Sequence, residues 1–322
     1  MNRRKFLIAS GAAIGGTYAG LKLESKPEKI SDGPAGNSAV SILRARSYSE
    51  DLASRMREGI KQCGLDVRGK RVLLKPNLVE FDSATVINTD AAVIVAALEA
   101  FQALGAAEVK IGEGPGHRRD TFDLADDARY RANIPRFESL FTDLNRDDVS
   151  AVANFAGEPK FYFPNTVLRA DLIVSLAKMK THHWAGATLS MKNFFGIVPG
   201  AVYGWPKNKL HYIGIPESVV ALNRQFRNTF AIVDGIVGME GNGPIQGTPK
   251  HAGVLVMGRD LVAVDATCCR IMGIDPEKID YLRLAADLGH VHTPRIEQRG
   301  ETVASVHSNF ALLKEYEYLR LA

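Results

Sequence analysis

Cysteine is scarce, with three residues in a chain of 322. Cys63 stands alone, and Cys268-Cys269 are adjacent within the apolar run from Leu261 to Ile274. That number and spacing exclude an ordinary four-thiolate zinc or iron–sulfur centre. An iron–sulfur cluster is therefore not expected, and the paired thiols read as small buried hydrophobes on a helix. Also missing are a Walker A lysine, a G-x-S-x-G serine elbow and a Cys/His nucleophile pair, which removes the best-marked hydrolase and kinase chemistries. Basic stripes interleaved with aromatics, as single-stranded nucleic acids require, do not occur either. The formal net charge of +4 owes three of its units to Arg3, Arg4 and Lys5, so the body of the chain is nearly neutral. No nucleic-acid partner is expected.

The most informative absence is local. Between Asp171 and Glu217 there is no acidic residue, although the stretch holds Lys178, Lys180, His182, His183, Lys192, Lys207, Lys209 and His211. Like charges gathered in this way repel unless carboxylates from elsewhere, or a bound anion, neutralise them. The segment therefore reads as the floor of a site for a small anionic ligand. Both tryptophans, Trp184 and Trp205, lie in it; one is expected to fill the core and the other to sit in a mobile loop.

At the N-terminus, Asn2-Arg3-Arg4-Lys5-Phe6-Leu7 precedes a small, apolar run from Ile8 to Gly20. A cationic start, a short apolar core and an exit at Thr17-Tyr18-Ala19 resemble a twin-arginine signal, with Asn2 where Ser or Thr is more usual. The run is shorter than the ~20 residues a bilayer span needs. Residues 1–23 are thus expected to direct export through the twin-arginine machinery to the periplasm or another extracytoplasmic space. Contact with a membrane is expected only through an uncleaved leader. Residues 24–40, rich in Lys, Glu, Ser, Gly and Pro, read as a flexible tether, and residues 41–322 as an α/β domain.

Within that domain short apolar strands alternate with helices. Strands are expected at Arg71 to Leu74, Glu108 to Ile111, Asp171 to Leu176, Thr229 to Val233 and Gly253 to Met257. Helices are expected from Asp90 to Leu104, capped by Thr89 and ended by Gly105, and over Glu217 to Phe226, Val262 to Ile271 and Pro276 to Leu288. Near-continuous apolar strands between helices predict an α/β fold: a mostly parallel sheet with helices on both faces, in one domain or two lobes. Ligands of such sheets bind beyond the carboxyl ends of the strands. Lys75-Pro76-Asn77, Gly112-Glu113-Gly114, Lys178-Met179-Lys180-Thr181-His182 and Asp234-Gly235 all fall there.

The lysines offer point charge to carboxylate or phosphate oxygens, and Asn77, Thr181, Ser190 and Asn193 offer neutral hydrogen bonds. Residues 186–192 are expected to lead into a helix whose first amides face the anion. Glu113, Asp234 and Glu240 are candidate general bases. Asp234 and Glu240, with Asp265 as a further candidate, also suit a divalent cation bridging protein and anion. Asp265 reads first as a site residue and second as a partner for a helix N-terminus. His182-His183 has poor zinc-ligand spacing.

Taken together, Lys75-Pro76-Asn77, Lys178-x-Lys180-Thr181-His182, Ser190-x-Lys192-Asn193 with Gly196 and Gly200, Glu240-Gly241-x-Gly243-Pro244 with Gly247, and Ala263-Val264-Asp265 resemble the family called domain of unknown function 362. The resemblance runs from about Lys75 to Ile274. It implies a shared fold-spanning motif set and no particular reaction. Some relatives carry ferredoxin-like cysteine clusters, which this chain lacks. Two functions from different classes are expected. One is an exported enzyme acting on a small anionic substrate held by Lys75, Lys178, Lys180, His182 and Lys192. The other is a non-catalytic carrier or sensor of an anionic ligand or cofactor.

Overall fold

The computed structural model describes residues 34–116 and 119–322. The leader and most of the tether lie outside the described residues. Strand β1 (Ser38–Arg44) already begins within the stretch read as a tether. Its outer neighbour is the late strand β11 (Ile296–Gly300), which runs parallel to it.

The described residues form a nine-stranded sheet. Its members are β1, β2 (Arg71–Pro76), β3 (Glu108–Glu113), β4 (Phe141–Asp143), β7 (Leu172–His182), β8 (Gly186–Thr188), β9 (Thr229–Glu240), β10 (Thr248–Gly258) and β11. Strands β5 (Val149–Phe155) and β6 (Glu158–Pro164) make a separate antiparallel hairpin. The main order is β11-β1-β10-β9-β7-β2-β3-β4, with β8 folded back on β7. Pairing is parallel except where β10 runs between β9 and β1 and at the β7–β8 turn. The expected mostly parallel α/β sheet is therefore present. Strand β10, which contains the strand expected over Gly253 to Met257, runs antiparallel and returns as a long hairpin from β9.

Helices cover both faces. On one side α1 (Leu52–Gln62) and α2 (Ala91–Ala103) pack together and onto the sheet, burying Met56, Ile60, Ile94, Leu98 and Phe101 against Leu74, Ile111, Val174 and Ile232. Helix α2 is apolar nearly all round because it is sandwiched in this way. Its N-cap is Asp90, whose carboxylate accepts from the Ala92 amide at 2.8 Å. Thr89, expected in that role, instead ties two strand ends together, accepting from the Asn77 amide and donating to the Leu176 carbonyl. Beyond the Leu104 C-cap, Gly105 takes the left-handed conformation (φ 90°) that ends the helix.

Helices α3 (Ile215–Gln225) and α4 (Leu261–Ile271) are also present, and α4 packs on β1, β9 and β10. The expected helix from Pro276 breaks into a 3-10 turn, Pro276–Lys278, and a short helix, Asp280–Leu284. Among the described residues no helix is long and apolar enough to cross a membrane.

Strand β7 is buried along its whole length, so its lysines must find partners within the protein or in a cavity. Between Lys178 and Lys180 its register with β9 breaks. Lys178 lies opposite Asp234 and Lys180 opposite Met239, so β9 bulges while β7 runs on. This irregularity decides which side chains share a cavity.

Candidate anion site

Three adjacent parallel strands, β7, β2 and β3, bring their carboxyl ends to a cavity of 540 Å³. Lys75, Asn77, Glu113, Lys180, His182, Lys192 and Asn193 line it. These are the sequence candidates that the fold gathers.

At its base sits a buried ion pair. The Lys75 ammonium lies 2.5 Å from Glu113 Oε2 and also donates to Asn193 Oδ1 (2.9 Å) and to the Pro76 carbonyl (2.8 Å). Burial still pulls the Lys75 pKa below its ordinary value, against the attraction of Glu113. The carboxylate of Glu113 further accepts the amides of Leu78 (3.0 Å) and Gly114 (2.8 Å). With both oxygens engaged, Glu113 is a structural counter-charge more than a free base. Asn193 donates to the Lys75 carbonyl and to Ser175 Oγ, so its carboxamide positions Lys75. Gly196 closes over the pair, and a Cβ there would collide with Glu113 Oε1 and with Lys75 Nζ and Cε. Only a glycine lets the backbone approach so closely.

Above the pair the charges are less well compensated. Lys180 is fully buried and donates to the carbonyls of Ile87 (2.9 Å) and Pro244 (3.3 Å). Burial, followed by the nearby Lys192 and Lys178, holds its pKa well below the usual lysine value. Burial pulls Lys192 to about 8. Its ammonium lies 4.8 Å from the centre of the Phe195 ring. Among the described residues it has neither a hydrogen-bond partner nor an ion pair. His182 Nδ1 accepts the amides of Trp184 (2.9 Å) and Ala185 (3.1 Å). Burial and the neighbouring cations depress its pKa far below the ordinary value. The ring is therefore neutral, its proton sits on Nε2, and it can only donate from that side.

Three cavity groups, Lys207, His211 and Thr188, are not indicated by the motif spacing. Lys207 is buried, donates to Asn145 Oδ1 (2.9 Å) and the Val198 carbonyl, and is pulled by burial to about 7. His211 also lines the cavity, with its pKa lowered first by burial and then by Lys192. Both belong to the acid-free stretch, which is the one clue to them in the sequence. Thr188 Oγ1 and Asn77 Oδ1 are buried polar atoms with no hydrogen-bond partner, and both residues line the cavity. Unpaired buried polar atoms cost roughly 1–3 kcal/mol each. Nothing in the sequence marks Thr188.

The remaining candidates lie elsewhere. Lys178 pairs with the buried Asp234 at 2.7 Å and donates to Tyr48 Oη (2.9 Å), lining a separate cavity of 660 Å³. Asp234 also accepts from Tyr48 and from the Ile236 and Asp90 amides, so it is not delivered to the anion cavity. Glu240 accepts the Ala311 amide (2.8 Å) and faces Lys250 at 3.5 Å. Thr181 Oγ1 donates to the Gly241 carbonyl (2.9 Å) and braces the loop after β9.

Asp265, on α4, accepts from the Ser190 amide, Ser190 Oγ, the Met191 amide and Tyr281 Oη. The amides expected to face a bound anion are thus given to a protein carboxylate. Residues 192–197 form a 3-10 turn there and not an α-helix. Burial raises the Asp265 pKa to about 7 against those four donors. As possible metal ligands, Asp234, Glu240 and Asp265 do not come together. Among the described residues no group of three or more His, Cys, Asp or Glu is placed to hold a metal ion. Cys63, Cys268 and Cys269 are free and buried.

A family model described as domain of unknown function (DUF362) matches residues 72–270. The chain belongs to that family. The motifs of the anion cavity on β2, β3 and β7 fall within the matched region. A thylakoid-associated protein, sll1697, of Synechocystis sp. is 27% identical over 263 residues, covering 78% of this chain and 79% of its own. Among solved structures, the lactate racemase apoprotein from Thermoanaerobacterium thermosaccharolyticum matches at a TM-score of 0.45 and 14% identity over 76% of this chain. A Thermotoga maritima protein matches at 0.39 and 15% over 70%. The chain spans 61% and 59% of those two chains. Likeness at that level carries no argument about this family member's activity.

Proposed function

We propose that this protein is an enzyme acting on a small anion bearing a carboxylate or phosphate, bound in the 540 Å³ cavity. The observation that carries the reading is the Lys192 ammonium, unpartnered among the described residues, in a cavity it shares with Lys180 and His182. Lys192 and Lys180 supply charge, His182 Nε2–H and Thr188 supply neutral donors, and Lys75–Glu113 forms a neutral floor. A lysine pulled to about 8 exchanges protons readily near neutral pH, so Lys192 is the proton-transferring group of this reading. A divalent cation, if the reaction uses one, would draw most of its ligands from the substrate and water, as magnesium commonly does.

The second reading is a carrier or sensor. It is favoured by the internal bonding of Lys75, Glu113 and Asn193, which leaves little of the floor free to move. Lys192→Arg separates the two, because guanidinium keeps the charge and does not release its proton. An enzyme is expected to bind its anion and lose turnover, followed by NMR on a panel of small acids and phosphates, whereas a carrier is expected to show no turnover in either form. Lys192→Met is expected to weaken phosphate or acetate binding at least tenfold by calorimetry. Unchanged affinity would remove the anion site from consideration.

Export belongs to the same proposal and is supported by the leader sequence alone. Changing Arg3-Arg4 to Lys-Lys is expected to leave the protein in the cytoplasm, as read by fractionation. Continued delivery would overturn twin-arginine export.

A further inference from the structure

The anion cavity is much larger than an anionic head needs. One water occupies about 30 Å³, and phosphate or acetate fills roughly two or three times that, against 540 Å³ here. The charged and unpaired polar groups, Lys75, Lys180, Lys192, Asn77 and Thr188, account for one kind of wall. Beside these and other polar groups such as Glu113, Lys207, Asn242 and Gln246, the cavity has an apolar and aromatic wall: Trp184, Phe195, Pro206, Ile215, Pro244 and Ile245.

The rings are organised. Trp184 meets His211 edge-on at 6.3 Å between centroids, and His211 meets Phe195 edge-on at 6.2 Å. Trp184 also packs edge-on against His183 at 4.7 Å. The chain of rings passes Lys192, whose ammonium stands over Phe195, so the aromatic wall begins where the charge ends. Trp184 is 67% exposed, an unusual position for the largest apolar side chain unless something covers it.

We infer that the anion bound here carries a ring-bearing apolar body: the head lies among Lys180, Lys192, His182 and Thr188, and the body lies against Trp184 and Phe195. This rests on the reading of the cavity as an anion site and names the class of molecule that fills it.

The test compares aryl and alkyl anions with the same head on the full chain: phenyl phosphate against methyl phosphate, and phenylacetate against acetate, by calorimetry. In at least one pair the aryl member is expected to bind about tenfold or more tightly, since a buried phenyl ring contributes that much. Trp184→Ala and Phe195→Leu are each expected to shrink the aryl-to-alkyl ratio to about threefold or less. Trp184 is exposed, so its replacement leaves the core intact and the first variant does not depend on refolding. Equal aryl and alkyl affinities, both lost in Lys192→Met, would overturn the ring-bearing body and leave the anion site standing. A ratio that survives both ring substitutions would overturn the placement against Trp184 and Phe195. Absence of binding by all four probes would overturn this inference and the anion site together.

Discussion

Lys75 and Lys192 show how differently two lysines behave within one cavity. Lys75 has a carboxylate at 2.5 Å and two oxygen partners besides, whereas Lys192 has a ring. Removing one member of a buried pair leaves the other uncompensated, at about 3–5 kcal/mol. Glu113→Leu is therefore expected to destabilise the protein by that amount in urea unfolding, and Lys75→Met combined with Glu113→Leu to recover a large part of it. A double variant no more stable than the single would show that Glu113 acts through its two amide partners and not through Lys75. Lys192→Met should cost little in the free protein, because it removes a half-buried charge with no partner. Its cost should fall on binding.

The pH dependence follows with the same sign logic. Anions prefer the protonated Lys192, so affinity is expected to fall as pH rises through about 8, and binding below that point to take up a fraction of a proton. Calorimetry in buffers of different ionisation enthalpy checks this, and a pH-independent affinity between 7 and 9.5 would contradict it.

At the scale of elements, two aspartate caps differ in reach. Asp51 caps α1 through a single bond to the Ser54 amide, so Asp51→Ala is expected to cost about 1 kcal/mol. Asp260 caps α4 through Ala263 and also accepts from Ser38 Oγ at 2.6 Å and the His290 amide at 2.8 Å. It joins the first strand, a helix and a late loop, and Asp260→Ala is expected to cost two to three times as much, or about 2–3 kcal/mol. Equal losses in urea unfolding would mean that the Ser38 and His290 bonds add nothing. Helix α2 was legible from its unbroken apolar surface and terminal glycine. The β7–β8 turn and the 3-10 turn after it were not, because the carboxylate that takes the Ser190 and Met191 amides, Asp265, comes 70-odd residues later in the chain.

For the whole molecule, lysines whose pKa the fold lowers oppose the usual alkaline loss of stability. Lys192 and Lys207 titrate near 8 and 7 when folded, but near 10.4 when unfolded. Between those limits the unfolded chain binds more protons, so this contribution to stability rises with pH. Urea unfolding of the free protein at pH 7 and 9.5 is expected to show a gain that shrinks in Lys192→Met. A gain of the same size in the variant would mean that Lys192 does not titrate in this range. An anion bound near Lys192 favours its protonated form, so saturating ligand should flatten the difference.

The sequence by itself determined the family, the alternation of apolar strands and helices, and the acid-free stretch whose lysines and histidines must find counter-charge. Those features are local: apolar period, turn residues and charge composition act within a few residues of one another. Which cation meets which partner was a tertiary decision. Lys178 and Lys180 stand two apart on one strand, yet the bulge in β9 sends the first to Asp234 and Tyr48 and the second to the cavity with Lys192. Charge pairing at a few ångströms depends on how strands from distant parts of the chain register. No pattern along the sequence encodes that register directly, because the bulge arises only in the pairing of β7 with β9.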